Sequence, residues 1–554
     1  MGKGEVMANI TIDGKPYTVK DGLTVMGAVD ELKIEVPRYC YHPGLSIAGN
    51  CRICQIEIEK MPRTVIACNT RVAEGMVIRT RSQKAKESRQ AVLEFLLANH
   101  PLDCPVCDQA GECKLQDYYM EVGLYDPKFD ENKVKKTKKA FSIGPTVTPP
   151  PVSSAGSGPI ALQSQEIGGG VMLDQERCIL CSRCVRFCDE ITKTNDLGIF
   201  NRGDHAEINI YPGKQLNNKY SGNVVDICPV GALTDRDFRF KMRVWYLGSQ
   251  ESVCPGCSRG CNINIHYERS RPYHLKNERV MRLKPRENQS VNRWWMCDEG
   301  RYGYKSIDES RLKKNGGFTW TESLLKIAAL IKTDKTPGEW AFLASPQLTN
   351  EELFLIKKIF KDTLKWKNIG FKAPQGNGSE DDFLIKKDKN PNTAGAAQIL
   401  NLSKESEDIT GIVEKAKRGE LAGIFISHHD LKSLCGADTF NIIRQKMKTI
   451  IFEGPNENPT ASAADFVLPS ASYAEKEGTF TNFEGRVQRI RKAFEPVDPA
   501  RPTWQILLEL GTHLGMNFTT QGPEQIFHDL AKTNEAFREL DYQKVGPLGS
   551  MWNK

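Results

Sequence analysis

The sequence predicts a multidomain chain, α+β in its first part and α/β in its last. Three observations carry this. The 554 residues are several times the usual domain size and suit three to five domains. All but one of the 17 cysteines fall before residue 298, and the exception is Cys435. After residue 304 the texture changes to short apolar runs separated by helical patterns.

The elements follow in order. Residues 1–83 read as a small β-rich domain, because Ile10 and Ile12 alternate with polar neighbours, Asp13-Gly14 offers a hairpin turn, and Tyr17 and Val19 resume the alternation. A helical stretch from Lys84 to Asn99 puts Val92, Leu93, Leu96 and Leu97 on one side and stops at His100-Pro101; it opens a domain spanning 84–123. Residues 124–170, with a Lys run and a Pro/Ser/Gly-rich stretch, read as a linker with no packed element. Two compact Cys-rich segments follow, 171–246 and 247–303. In 304–554, the runs Ala341–Ala344, Gly423–Ile426 and Thr449–Phe452 read as buried parallel strands, and Thr349 with Glu352 as a capping box.

Composition narrows the function classes. Hydrophobic content of 39% and charged content of 26% are those of an ordinary globular protein, and no run approaches 18 apolar residues, so no membrane span is expected. The start MGKGEVMANI lacks the apolar core of a secretory signal, which points to the cytoplasm or to a compartment reached without a Sec-type leader. Lys133, Lys135, Lys136, Lys138 and Lys139 lack interleaved aromatics, which argues against nucleic acid. The formal charge of +7 omits thiolates; a four-thiolate cluster carries roughly two negative charges, so four would nearly cancel the basic excess. Clustered cysteines without an export signal read as metal ligands before disulfides.

Four sets emerge. Cys40, Cys51, Cys54 and Cys68 (C-x10-C-x2-C-x13-C) follow the logic of a ferredoxin-type 2Fe–2S site, in which the two cysteines three apart grip one iron and a loop and a distant cysteine close the other side; zinc also accepts four thiolates, and the long Gly-containing loop YHPGLSIAGN favours iron. His100, Cys104, Cys107 and Cys113 (H-x3-C-x2-C-x5-C) suit either a cluster or a structural zinc. Cys178, Cys181, Cys184 and Cys188 form a C-x2-C-x2-C-x3-C run, with Cys228-Pro229 forty residues on. In two-cluster ferredoxins the fourth cysteine of such a run serves the other cluster, and no partner run exists here; this favours Cys228 over Cys188 as fourth ligand, with Cys188 close enough to compete. Cys254, Cys257, Cys261 and Cys297 form a short tripod with a remote fourth thiolate, able to enclose a cubane or a zinc ion.

This order of motifs resembles the large iron–sulfur subunit of respiratory complex I, the G-type or 75 kDa-type subunit of NADH-quinone oxidoreductase. FVLPSASYAEKEGTFTNFEGRVQRI (466–490) resembles a signature of the molybdopterin-oxidoreductase superfamily. The resemblance implies an N-terminal β-grasp 2Fe–2S domain, 4Fe–4S clusters on the His100, Cys178 (completed by Cys228) and Cys254 sets, and a shortened molybdopterin-oxidoreductase-like α/β region at 304–554. The Cys254-set cluster is optional in that family and usually placed off the main electron path. No functional molybdopterin is expected, and Cys435, in HHDLKSLCGAD, reads as a small buried hydrophobe.

No G-x-S-x-G, H-E-x-x-H, Walker A or convincing G-x-G-x-x-G motif is present, so no catalytic side chain is expected and NADH and flavin belong to a partner. The resemblance implies a subunit of an NADH:quinone oxidoreductase, a translocase. It would lie peripherally on the cytoplasmic side of the inner membrane, beside a flavin/NADH-binding subunit, a small 2Fe–2S subunit and quinone-side iron–sulfur subunits. Electrons would enter from the flavin and pass the 2Fe–2S, His-ligated and Cys178-type clusters in that order. Rival readings are an iron–sulfur subunit of an NAD-linked hydrogenase or formate dehydrogenase and, in another class, a zinc-stapled scaffold.

Overall fold

The structure, a computed structural model, describes residues 6–126, 131–133, 141–142, 170–212, 214–269, 278–313, 315, 317–333, 339–371, 378–519 and 522–553. Most of the expected linker, with Lys135, Lys136, Lys138 and Lys139, lies outside the described residues. The chain divides into two compact units, Met1–Tyr246 and Leu247–Lys554.

The first unit opens with β1 (Met7–Ile12), β2 (Lys15–Lys20), α1 (Val25–Glu31), β3 (Gln55–Ile58), β4 (Val65–Ile66) and β5 (Val77–Arg79). The sheet order is β2-β1-β5-β3-β4, with β1 and β5 parallel and the other pairs antiparallel, a β-grasp. Asp13 and Gly14 both take positive φ, 48° and 82°, as a two-residue turn matching strand twist requires. The alternating Ile10, Ile12 and Val19 meet Val25, Met26 and Val29 of α1 in one core. The connection between α1 and β3 brings Cys40, Cys51 and Cys54 to one end of this domain.

Next comes α2 (Gln83–Leu97), capped by Ser82 Oγ, which accepts from the Ala85 N–H. At its other end Lys133 Nζ donates to the Leu97 and Ala98 carbonyls, so His100 lies beyond the helix without capping it. Then follow α3 (Lys114–Val122), β6 (Phe141–Ser142), β7 (Val171–Leu173), α4 (Arg183–Arg186), β8 (Leu197–Phe200), β9 (Glu207–Ile210), α5 (Asn223–Ile227) and β10 (Leu233–Asp235). β6 falls inside the stretch read as free of packed elements. It is the edge strand of the sheet β10-β7-β6, and that part of the linker reading is corrected. Backbone pairing is what recruits these two residues, and composition does not report it.

The second unit begins with the antiparallel sheet of β11 (Leu247–Val253), β12 (Asn262–Glu268) and β13 (Val280–Pro285), then α6 (Asp298–Tyr302) and α7 (Trp320–Thr333). The α/β body adds β14 (Trp340–Leu343), α8 (Asn350–Ile356), β15 (Asn368–Gly370), α9 (Thr393–Leu400), α10 (Lys404–Glu407), α11 (Thr410–Arg418), β16 (Gly423–Ser427), α12 (Leu431–Cys435), α13 (Ala437–Lys446), β17 (Thr449–Gly454), α14 (Pro459–Ala463) and β18 (Phe466–Pro469). Its five strands are all parallel, in the doubly wound order β15-β14-β16-β17-β18. Strand alternation divides the core between two faces. Phe342, Phe425 and Ile451 pack toward α7, α8, α9, α15 (Thr503–His513) and α16 (Pro523–Thr533). Leu343, Ile424, Ile426 and Ile450 pack toward α11 and α13. Burial on both faces is why these strands read as unbroken apolar runs. A last sheet joins β19 (Gly478–Thr481), β20 (Arg486–Ile490) and β21 (Ser550–Met551), with α17 (Tyr542–Val545) before it. Among the described residues no helix is long and apolar enough to cross a membrane.

Candidate metal centres

All 17 cysteines are free thiols. In the first set the sulfurs pair as Cys40 with Cys51 and Cys54 with Cys68 through side-chain hydrogen bonds. The Cys51 hydrogen bond brings the Cys40 thiol down to about 5, while Cys51 is pushed up. Burial and its bond to Cys68 push Cys54 up, and Cys68 moves down. The pairing sets Cys51 beside Cys40 and Cys54 beside Cys68, not Cys51 beside Cys54. Arg52 takes φ 59° and Cys54 runs on into β3, which carries the two thiols to different partners. The Cys40 N–H donates to Cys51 Sγ at 3.4 Å, one of the backbone donors that stabilise thiolates.

In the second set, Cys107 and Cys113 are buried and Cys104 is exposed. Burial pushes Cys113 up to about 11, opposed by the Gln116 and Leu115 N–H groups, with Cys107 and Cys104 adding repulsion. His100 is brought down to about 4 by burial and by the Arg177 charge, which Cys107 also feels. Arg177 is held by Asp103 and Asp174, each at 2.8 Å. A Cβ on Gly231 would sit 2.5 Å from Cys107 Sγ; only glycine lets this backbone approach the sulfur.

In the third set Cys178, Cys181, Cys184 and Cys228 line one small cavity together with Ser182 and Arg183. Leu180 and Ser182 take positive φ, 51° and 61°, turning backbone N–H groups inward; the Leu180 N–H donates to Cys178 Sγ at 3.4 Å. Burial pushes Cys181 and Cys228 up to about 11, and Cys184 further. Cys188 is not on this cavity. It is fully buried beside Asp196 and Leu197, in the turn of helix after α4.

In the fourth set Cys254, Cys257, Cys261 and Cys297 line another small cavity, with Gly256, Gly300, Leu384, Ile385 and Lys389. Burial pushes Cys254, Cys261 and Cys297 up, Cys297 to about 12. The Gly300 N–H donates to Cys297 Sγ at 3.4 Å, and a Cβ there would meet Cys254 Sγ at 2.9 Å.

Thiols gathered in groups, most of them disfavoured as anions by burial, fit a site completed by metal: the metal's positive charge is what makes four thiolates tolerable in one place. Among the described residues no group of three His, Cys, Asp or Glu side chains is arranged to hold a metal ion as it stands. Cys435 ends α12, half-buried against the core, with its thiol directed to the Gly436 carbonyl.

Molybdopterin fits less well. Doubly wound sheets take ligands at the carboxyl ends of their strands. There this chain's own side chains are buried and satisfied: Ser427 and Thr503 donate to Glu453, and His429 Nε2 donates to the Ala344 carbonyl at 2.7 Å. We derive no chemistry through that group.

The first and third sets are direct neighbours. Asn50 Nδ2 donates to the Leu180 carbonyl at 3.1 Å, Ser46 donates twice to Glu190, and Arg183 and Arg186 reach across from α4. An order with the second set between them is not what these contacts draw. The reading of the sequence also missed four residues at the centres: Arg177, Arg183, Arg186 and Tyr39. Tyr39 lies fully buried near Cys51 and Cys113, its hydroxyl without a protein partner among the described residues. The arginines stood in view beside cysteines in ERCILCSRCVRFC, where a charge reads as solvated; nothing distinguished Tyr39.

Sequence-family models match along the chain: a 2Fe-2S iron-sulfur cluster binding domain at 5–83, the NADH-ubiquinone oxidoreductase-G iron-sulfur binding region at 89–128, the NADH-quinone oxidoreductase subunit 3 ferredoxin-like domain at 168–234, the molybdopterin oxidoreductase Fe4S4 domain at 249–309, and molybdopterin oxidoreductase at 365–513. By class, then, this is an iron–sulfur protein with 2Fe–2S and 4Fe–4S binding domains joined to a molybdopterin-oxidoreductase-type body. The G-type subunit of NADH-quinone oxidoreductase from Rickettsia conorii is 28% identical over 650 residues, covering 97% of this chain and 92% of that protein. The mitochondrial NADH-ubiquinone oxidoreductase 78 kDa subunit of Neurospora crassa is 29% identical over 656, covering 96% and 84%. A solved chain of an NAD+-reducing [NiFe]-hydrogenase matches with TM-score 0.35 and 24% identity, over 43% of this chain and 91% of that one. The chain belongs to the family of G-type iron–sulfur subunits of NADH-quinone oxidoreductase, which includes the mitochondrial 78 kDa subunit.

Proposed function

We propose that this chain is the electron-transfer iron–sulfur subunit of an NADH:quinone oxidoreductase, relaying single electrons from a flavin subunit toward the quinone site. The observation that carries the reading is the gathering of buried and half-buried thiols, twelve of them in the first, third and fourth sets. In this reading Cys40, Cys51, Cys54 and Cys68 hold a 2Fe–2S cluster. His100, Cys104, Cys107 and Cys113 hold a 4Fe–4S cluster, as do Cys178, Cys181, Cys184 and Cys228, and Cys254, Cys257, Cys261 and Cys297. Clusters in these places supply one-electron redox chemistry. The protein's own part is to exclude water from the sulfurs, aim N–H groups at them and fix their spacing, which sets potential. Partners in this reading are the flavin/NADH subunit, a small 2Fe–2S subunit and quinone-side iron–sulfur subunits, on the cytoplasmic face of the inner membrane. Residues 304–554 serve as a non-catalytic body without functional molybdopterin.

Metal and sulfide analysis of anaerobically purified protein tests this. About 14 iron per chain with acid-labile sulfide is expected; four zinc per chain without sulfide overturns it. His100→Cys should keep its cluster and lower that cluster's potential, since an anionic ligand replaces a neutral one. An EPR spectrum and titration identical to the unsubstituted protein would remove His100 from the set.

A further inference from the structure

Between Cys181 and Cys184, on α4, stands Arg183. Its Nη1 donates to the Ile227 carbonyl at 3.0 Å, one residue before Cys228, and its Nη2 donates to the Tyr41 carbonyl at 2.5 Å, one residue after Cys40. One guanidinium thus joins a ligand loop of the third set to a ligand loop of the first. Arg183 also lines the third set's cavity beside its four thiols. Its Nε is sealed from solvent and has no hydrogen-bond partner among the described residues.

The charge is not neutralised by a carboxylate, since no ion pair to Arg183 occurs among the described residues. The groups that feel it include Cys181, Cys228, Cys51 and Cys40, and the half-buried neutral imidazole of His42. Arg186, one turn on, adds a second cation on the same side, donating to the Cys40 and Ser46 carbonyls; Glu190 nearby is taken up by Ser46. A buried guanidinium with a spare donor and no counter-ion is costly unless something anionic stands against it. Here the anionic groups on offer are the two thiolate sets.

We propose that Arg183 is a positioning residue shared by the first and third sets: a fixed cation between them that raises the reduction potential of both and directs its Nε–H at the sulfurs of the third. The proposal rests on reading the sets as clusters. Reduction adds negative charge, and a nearby cation stabilises the reduced form. A cation shared by both raises the two together, so electrons enter the pair more readily while the step between them keeps its driving force. Arginine suits this place because its planar fork reaches two carbonyls at once and remains charged when buried, whereas lysine supplies charge without the fork.

The test uses the full-length chain in its assembled complex, with iron, zinc and labile sulfide counted and EPR-monitored redox titrations of Arg183→Met and Arg183→Lys. The expected result is a fall in potential of both the first-set and third-set signals in Arg183→Met, at unchanged iron, with Arg183→Lys recovering most of it. Unmoved potentials, movement of one signal alone, or a fall in Arg183→Lys as large as in Arg183→Met would overturn the proposal. Should Arg183→Met lose iron, unsubstituted protein labelled with 15Nε-arginine decides by pulsed EPR. A 15N coupling on the third-set signal, missing in Arg183→Lys, supports the proposal, and no coupling in the labelled protein overturns it. Zinc in place of iron, with no signals at all, marks the different failure of the cluster reading itself.

Discussion

Cys188 and Cys228 are the same side chain in two environments. Cys228 faces the cavity with Cys178, Cys181 and Cys184; Cys188 is fully buried beside Asp196 and touches no such space. Cys228→Ala should therefore cost about four iron atoms per chain, the content of one 4Fe–4S cluster. Cys188→Ala should keep them all, while lowering stability by about 1 kcal/mol for the lost sulfur. Iron analysis with thermal melts checks both, and iron loss in Cys188→Ala would reverse the assignment. At this scale the sequence marks which side chains are candidate ligands, because thiol chemistry is tied to residue type. It does not reveal which sulfurs pair. Cys51 and Cys54 are close in the chain but part because Arg52 is left-handed, a backbone angle that spacing does not encode.

The elements were legible wherever both faces of a strand are buried, as in β14, β16 and β17. The capping box on α8 forms as its pattern implies, with the Thr349 N–H to Glu352 at 2.9 Å and the return bond at 3.3 Å. Hidden from the sequence was that Glu352 also meets Lys476, a fully buried lysine, at 2.7 and 2.9 Å; lysine is ordinarily exposed, so nothing marked it. Lys476→Met leaves Glu352 a buried unpaired charge and should cost about 3–5 kcal/mol, measured by urea unfolding. Adding Glu352→Gln should recover much of that. Next to it, Glu351 accepts from the Thr479 N–H at 2.9 Å and the Tyr542 hydroxyl at 2.9 Å. Burial pushes its carboxyl from 4.5 up to about 7. The folded chain then holds a proton that the unfolded chain has released, so this group's contribution falls as pH rises from 4.5 to 7. Glu351→Gln keeps an acceptor for the Thr479 N–H and turns its amide to hydroxyls, and should flatten that decline. Unfolding midpoints across the window check it; an unchanged slope would assign the dependence to another group.

At the scale of the whole chain, three thiol sets belong to the first compact unit and the fourth to the second. The fourth set's surroundings are tied together by hydrogen bonds between the chain's own side chains and backbone. The Asn262 N–H donates to Asn292 at 3.0 Å, Asn262 Oδ1 accepts from Asn288 at 3.0 Å and from Gln488 at 2.8 Å, and Gln488 also reaches the Gly260 carbonyl at 2.9 Å. Asn292 donates to the Trp295 carbonyl at 3.0 Å, tying down the segment that leads to Cys297. This polar lattice, fully buried, fixes the loop from Cys254 to Cys261 against β12, β13 and β20 by hydrogen bonds of about 1 kcal/mol each. Cysteine spacing could not show it, because asparagine and glutamine carry no pattern of their own. Cys257→Ala should consequently remove about four iron atoms per chain while the second unit stays folded, and the EPR signals of the three sets in the first unit should keep their intensity and potential. Electron transfer from NADH to quinone should persist in that variant. Loss of the first-unit signals together with the fourth-set iron would mean that the two units do not assemble their metals independently, and the chain would then be one cooperative metalloprotein in place of a three-centre relay with a separately built fourth centre.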